Sequence, residues 1–379
     1  MHAKNDPNPT LVMLVGGSGN AGVERAIRQA RQAAACDLLE TLWHTGRIAR
    51  AIVATDDPEW TCALPHAPVE VIPDPPDRPF HFGQRLAELI ETHNADTLLY
   101  AGGGAAPLMS AQDWSAVLAE LEACPRCAIT NNLHSSDWAA FRPAKAVLPL
   151  VAAQTRDNGL AWTLANDAGL PTHALPASAA SRFDLDTPAD LLIARAHPRL
   201  GRHLRAALDA LDWPTAPLEG VMRVMAKEGG HLTVVGRSSS TAWAALEQQT
   251  RCFVRLFVEE RGMIATGRLA QGEVRSLLAD YLTLVGAPAF FERLASMAEA
   301  ILLDSRVVMG ALGLWPPATD RFNADLLRWR EVEDPFLRAF SRAASEIDVP
   351  MLMGGQSVVA GGLMALLEAL APKGHTDDA

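Results

Sequence analysis

Two carboxylates one residue apart, Asp184-Leu-Asp186, carry the clearest metal-binding chemistry in the sequence. Side chains alternate along an extended segment, so both acids face one side. Two such oxygens can hold Mg²⁺ beside a triphosphate. The competing reading is structural: acids here satisfy amides where the next helix starts. Thr187 suits its N-cap, Pro188 its first position, and Asp190 the positive end of its dipole. A second chemistry lies in Gly16-Gly17-Ser18-Gly19-Asn20. Glycines let a backbone approach a phosphate, and free amides at a helix start bind it. No Lys-Ser/Thr follows, so the loop is not a Walker A motif. Gly17, Gly19 and Gly22 fit G-x-G-x-x-G in spacing, and a plain tight turn is the alternative. Gly102-Gly103-Gly104 is a further glycine turn behind an apolar run.

Three polar clusters complete the candidates. Asn131, Asn132, His134, Ser135 and Asp137 combine amides, a hydroxyl and an imidazole, which suits contact with a base, a sugar or a small acid. His134 is the general-base candidate among them; a loop closed by a helix cap is the structural alternative. Arg237, Ser238, Ser239 and Ser240 put one cation and three hydroxyls at a helix start, a pattern for an anion. Glu259, Glu260 and Arg261 end the next strand. Structural ion pairs are the alternative for these two groups.

The elements that must position these residues alternate. Leu11–Val15 is a continuous apolar run, the signature of a strand buried on both faces. Further strands are expected at Ile48–Thr55, Val69–Pro73, Thr97–Tyr100 and Cys127–Thr130. Helices are expected at Val23–Thr45, Gly83–His93 and Trp114–Ala123, the last capped by Ser110 with Asp113 three residues on. Strand–helix alternation implies a mostly parallel sheet, with ligands at the carboxyl ends of its strands. The loops to watch are therefore 16–20, 56–59, 102–110 and 131–137. In the second half, strands are expected at His231–Val235, Cys252–Glu259 and Met351–Met353. Helices are expected at Thr241–Gln249, Arg275–Val285, Ala289–Asp304 and Pro335–Ala344. Asp212-Trp-Pro-Thr-Ala-Pro217 is the best linker. The expected domains are 1–198, a helix and linker at 199–218, a helix-rich α/β domain at 219–372, and a disordered tail at 373–379.

Three stretches together resemble a known family. Leu-Val-Gly-Gly-Ser-Gly at 14–19, Gly-Gly-Gly-Ala-Ala-Pro-Leu-Met-Ser at 102–110 and Arg-Phe-Asp-Leu-Asp-Thr-Pro-Ala-Asp-Leu at 182–191 look like the landmarks of the MobA-like nucleotidyltransferases. The third most resembles the phospholactate or phosphoenolpyruvate guanylyltransferases. The resemblance covers about residues 10–195. It implies a three-layer, glycosyltransferase-A-like α/β fold, Mg²⁺, and transfer of a nucleotide from an NTP to a small phosphorylated or carboxylated acceptor in cofactor synthesis. By this resemblance Gly16, Gly17, Ser18, Gly19, Asn20, Arg25 and Gly102–Gly104 would bind nucleotide. Asp184 and Asp186 would hold metal, and Asn131, Asn132, Ser135 and Asp137 would bind acceptor. The opening loop offers Arg25 and Arg28 but no Lys, and Ala105 and Ala106 stand where the family carries a metal-binding Asp. A non-catalytic ligand-binding or scaffold protein, and a nucleotide-sugar glycosyltransferase, are the alternative functions.

Composition sets the outer limits. The chain has 379 residues, 49% hydrophobic and 20% charged, which allows large cores in two domains. A net charge of −11 opposes a nucleic-acid partner. Five scattered cysteines suit a reducing compartment. The Cys124-Pro-Arg-Cys127 pair lacks the two further ligands of a zinc site. No apolar run approaches membrane-span length. Expected partners are a nucleotide or nucleotide-linked small molecule, with a homodimer as candidate assembly and a cytoplasmic location.

Overall fold

The computed structural model describes residues 8–17, 19–57, 59, 60, 62 and 69–371. The 373–379 tail and Ser18 lie outside the described residues. The chain divides into two compact units. The first comprises Met1–Ser18, Arg28–Ser181 and Gly201–Ala207; the second comprises Gly19–Ile27, Arg182–Leu200 and Leu208–Ala379.

The first unit is built on a seven-stranded sheet of β1 (Thr10–Val15), β2 (Arg50–Thr55), β3 (Val69–Pro73), β4 (Leu98–Gly102), β5 (Cys127–Thr130), β6 (Trp138–Arg142) and β7 (Thr172–Ala174). Their order is β3-β2-β1-β4-β6-β5-β7. All pairings are parallel except those of β6, which runs antiparallel to β4 and β5. The continuous apolar run of β1 is buried at every residue. Its alternation feeds two cores. Leu11, Met13 and Val15 join Leu39, Leu42, Trp114 and Trp138 on one face. Val12 and Leu14 join Phe82, Leu86, Tyr100 and Phe141 on the other. Helices therefore cover both faces, the three-layer arrangement expected for this half. The helix Phe82–Thr92 shows why: Phe82, Leu86, Leu89 and Ile90 recur at helical spacing and are all buried. The helix Ala111–Ala123 starts on the expected Ser110–Asp113 capping box.

The second unit holds a four-stranded, all-parallel sheet of β8 (His231–Gly236), β9 (Phe253–Val258), β10 (Ala300–Asp304) and β11 (Met351–Gly354), ordered β11-β10-β8-β9. The rest of the unit is rich in helices. One expectation is corrected. The helix expected across Ala289–Asp304 stops at Ala295, and Ala300–Asp304 is instead β10, beside β8 and β11. Ala-Ile-Leu-Leu is apolar on every side, so it has no periodicity to separate a buried strand from a buried helix. The short strands β6 and β7 also escape the sequence reading, which assigns no strand between 131 and 174. Among the described residues, no helix is long and apolar enough to cross a membrane.

Candidate functional site

In the first unit a cavity of about 380 Å³ opens where the carboxyl ends of β1, β2 and β3 converge. Its wall takes Gly16 and Gly17 from the loop after β1, Asp56 from the loop after β2, and Asp74–Pro76 and Arg78–Phe80 from the loop after β3. Parallel sheets place ligands at this edge because helix N-termini and adaptable loops meet there. The volume falls within the range of small-molecule sites. One wall residue is anomalous. Phe80 is 59% exposed although it lines a concave surface. An aromatic ring left in water at a cavity mouth is a platform on which a planar base can stack.

The charged groups around this cavity are tied to one another. The Gly17 N–H donates to Asp56 Oδ2 at 3.1 Å. Arg28 donates to both oxygens of the same carboxylate, at 2.9 Å each. Gly17 has φ +82, the left-handed region that glycine tolerates. At Gly16 a Cβ would stand 2.8 Å from Asp56 Oδ1. The glycine turn thus cradles an anion, and the anion is the chain's own Asp56. Across the mouth, Arg85 donates from Nε to Asp74 Oδ1 at 2.9 Å and from Nη2 to the Pro73 carbonyl at 3.0 Å. Burial raises the Asp74 carboxyl above its usual range, Arg85 opposes this, and the Asp56 charge adds to it.

The structure locates the remaining sequence candidates as follows. Gly19, Asn20 and Arg25 are grouped with the second unit. The Gly19 N–H donates to Glu24 Oε2 at 3.0 Å, and Arg25 donates from Nε to the Asn20 carbonyl at 2.7 Å. In the first unit, the Gly102 N–H donates to the Asp137 carbonyl and the Gly103 N–H to the Leu14 carbonyl, locking the turn after β4 onto its neighbours. Gly104, Ala105 and Ala106 are buried, and Ala106 has φ +49. Asn131 and Asp137 bond each other twice: Asn131 Nδ2 donates to Asp137 Oδ2 at 2.6 Å, and the Asp137 N–H donates to Asn131 Oδ1 at 3.0 Å. Asn132 accepts the His134 N–H, Ser135 accepts from Asn158, and the His134 ring lies 5.1 Å from that of Trp162.

Asp184 and Asp186 are grouped with the second unit. Phe183 and Leu185, which alternate with them, are buried, whereas Asp184 is half-buried and Asp186 exposed, as alternation requires. The helix Pro188–Ala196 carries the Thr187–Asp190 capping box. Asp190 Oδ2 accepts from Asp186 N, Thr187 N and Thr187 Oγ1 at 3.1, 2.7 and 2.9 Å. Burial, and secondly the charge of Asp186, push the Asp190 carboxyl up to about 7. Asp190 is therefore the structural member of the motif. Asp184 and Asp186 supply the hard oxygen donors that Mg²⁺ prefers.

The other second-unit candidates make internal contacts. Arg237 is buried and forks onto Asp304, Nε to Oδ2 at 2.6 Å and Nη2 to Oδ1 at 3.1 Å. Ser238 is fully buried, and Ser239 caps the helix Ser240–Gln249 by accepting from Ala242 N. Glu259 accepts the Leu277 N–H at 2.9 Å, and Glu260 pairs with Arg268 at 2.7 Å. The Arg261 carbonyl accepts from Arg268. Sequence reasoning missed Asp74, Phe80 and Arg85. Their signal was present: Asp-Pro-Pro-Asp-Arg-Pro-Phe directly follows a strand of a parallel sheet, so it had to lie at the ligand-bearing edge.

No family model and no curated protein matches the chain. Solved structures do. A Desulfovibrio desulfuricans G20 protein described as a nucleotide-diphospho-sugar transferase aligns over 53% of this chain and 96% of its own, with 13% identity and a TM-score of 0.38. CMP:2-keto-3-deoxy-manno-octonic acid synthetase, solved with CTP, aligns over 50% and 97%, with 16% identity and a TM-score of 0.36. The 4-diphosphocytidyl-2C-methyl-D-erythritol synthase of Anaerococcus prevotii DSM 20548 aligns over 50% and 98%, with 12% identity and a TM-score of 0.35.

Proposed function

We propose that the first unit is a nucleotide-binding module of nucleotidyltransferase type, with the base of the nucleotide seated in the cavity at the carboxyl ends of β1–β3. The observation that carries this is the water-exposed Phe80 ring on the wall of that cavity. A stacking ring, a glycine turn shaped around an anion and an Arg at the rim are the parts that hold a base and a phosphate. The strand order, with its one antiparallel strand, suits the fold implied by the MobA-like motifs.

The same loop favours binding over transfer. The Gly17 amide and Arg28, which a phosphate would use, are both committed to Asp56. Ala105 and Ala106 offer no carboxylate after β4. Asp184 and Asp186, taken within the second unit, are the pair of hard oxygens that would suit Mg²⁺. Under this reading the chain binds a nucleotide first, and transfers a nucleotidyl group to a small phosphorylated or carboxylated acceptor only where phosphate displaces Asp56.

A thermal-shift screen of ATP, CTP, GTP and UTP with MgCl₂, followed by a pyrophosphate-release assay, tests both parts. Binding raises the melting temperature by mass action. A shift without pyrophosphate release supports the binding reading and removes the transferase. No shift with any nucleotide removes both.

A further inference from the structure

The cysteines are not equivalent. Cys252 donates its thiol to the carbonyls of Val224 and Met225 at 3.5 and 3.6 Å. Cys36 and Cys62 instead hydrogen-bond to each other, thiol to thiol. Both belong to the core face of Leu39 and Trp114 in the first unit, 7% and 9% exposed. Cys36 comes from the helix Gly22–His44, and Cys62 from the segment that follows β2. Their contact continues a series along that helix. Arg28 holds the Asp56 carboxylate, Gln32 Nε2 donates to Asp57 Oδ2 at 2.9 Å, and Cys36 meets Cys62. Arg28, Gln32 and Cys36 are spaced i, i+4 and i+8, so they share one helical face. Residues 28–44 and the segment they hold belong to the same unit. At one end of the series Asp56 fills the glycine turn after β1. At the other end stand two thiols whose link chemistry can change.

We propose that Cys36 and Cys62 are a reversible oxidation site: under a peroxide they join as a disulfide, which clamps the segment after β2 onto the helix and holds Asp56 in the glycine turn. The consequence, that the oxidised chain admits a phosphate less readily, rests on the nucleotide reading of that turn. The first step joins Cys62 to the oxidant. Its thiolate attacks a peroxide oxygen, the S–O bond forms, the O–O bond breaks, and the departing hydroxide takes up a proton as water. The Cys36 sulfur then displaces the sulfenic hydroxyl. The S–S bond forms, the S–O bond breaks, and the hydroxyl leaves with the Cys36 proton as a second water. Each sulfur loses one electron, and the two peroxide oxygens are reduced. A dithiol reductant restores both thiols.

The environment separates the two roles. The hydrogen bond from Cys36 is the largest influence on Cys62 and lowers its thiol below the usual value, against burial and the charges of Glu40 and Asp37. The same bond, then burial, raises Cys36. Cys62 is therefore the attacking thiolate and Cys36 the resolving thiol. The other hydrogen-bonded pair, Cys124 and Cys127, stands where β5 begins, at the edge of the sheet opposite the glycine turn, so its oxidation leaves Asp56 untouched. In a reducing compartment the Cys36–Cys62 pair rests as thiols and closes only while oxidant lasts.

Peptide mapping of the full chain, reduced or treated with hydrogen peroxide and then alkylated, tests the proposal. Mass spectrometry should find a Cys36–Cys62 linked peptide that a dithiol reductant separates, with Cys252 still alkylated. In the oxidised chain, hydrogen exchange of the Gly17 amide should slow several-fold, because Asp56 leaves the turn less often. Triphosphate binding by calorimetry should weaken about tenfold as the open fraction falls. Cys62→Ser should abolish the link and both changes. Cys36→Ala should do the same, so the result does not hang on the folding of one variant. Absence of the link, a link that leaves Gly17 exchange unchanged, or equal triphosphate affinity in the two forms of a chain that binds, overturns the clamp. If the link forms and Gly17 slows but neither form binds a triphosphate, the clamp stands and the nucleotide reading falls.

Discussion

The two sheets solve the same problem at the same place in opposite ways. Each is mostly parallel, and each gathers polar residues at the carboxyl ends of its strands. In the second unit those residues are sealed in. Arg237 closes on Asp304, and Arg306 on Asp325, with each acid fully buried. In the first unit the corresponding edge stays open. Arg28 meets an Asp56 whose side chain is 38% exposed, and that carboxylate lines a cavity that also displays Phe80. The same residue types at the same topological position therefore hold one unit together and leave the other able to receive a ligand. What separates them is burial, and burial is what a linear sequence shows least.

The largest expected effect lies in the sealed sheet. Arg237→Met should destabilise the chain by about 3–5 kcal/mol in urea titrations, because Asp304 remains buried without its counter-charge. Adding Asp304→Leu should recover part of the loss. If the single variant costs no more than a surface substitution, the distinction between the two edges fails.

Next comes Asp190. Its folded pKa is raised from 3.8 to about 7. The folded state thus favours the protonated acid, and that contribution is complete below about pH 4 and lost as pH rises through 7. The sign predicts a component of stability that falls with rising pH, up to about 4 kcal/mol. Chemical denaturation from pH 4 to 8 should show it, and Asp190→Asn should flatten it.

The smallest stability effect belongs to the open edge. Asp56→Ala should cost about 1–2 kcal/mol, because the carboxylate is 38% exposed while Arg28 is only 11% exposed. It should also release the Gly17 amide and Arg28 and tighten triphosphate binding roughly tenfold, about 1.4 kcal/mol. Weaker triphosphate binding in that variant would show that Asp56 serves the ligand directly rather than standing in for it.

Much of this architecture is legible in the sequence, and the exceptions share a cause. β1 to β5 announce themselves as short apolar runs between turn residues, and the Ser110–Asp113 and Thr187–Asp190 capping boxes lie in place. β10 reads as helix in the sequence because Ala-Ile-Leu-Leu has no polar face to reveal a period. β6 follows a polar loop without a turn dipeptide to mark it, and β7 is only three residues long, too short to show a period. At the candidate site the glycine turn was visible, but its occupant was not. That Asp56 fills the turn depends on β1 and β2 being neighbours with matched ends, a long-range fact. Phe80 was hidden for the opposite reason: a lone Phe reads as core, and only the fold shows that this one faces water.

Calorimetric titration of the intact chain and of Phe80→Ala with the four ribonucleoside triphosphates reaches the central claim most directly. The ring is exposed, so the substitution should leave the melting temperature of the free protein unchanged. The account predicts that at least one triphosphate binds the unmodified chain, and that Phe80→Ala weakens it about fivefold or more, the loss of roughly 1–3 kcal/mol of stacking. Equal affinity in the two proteins, or no heat from any triphosphate at millimolar concentration, would contradict it.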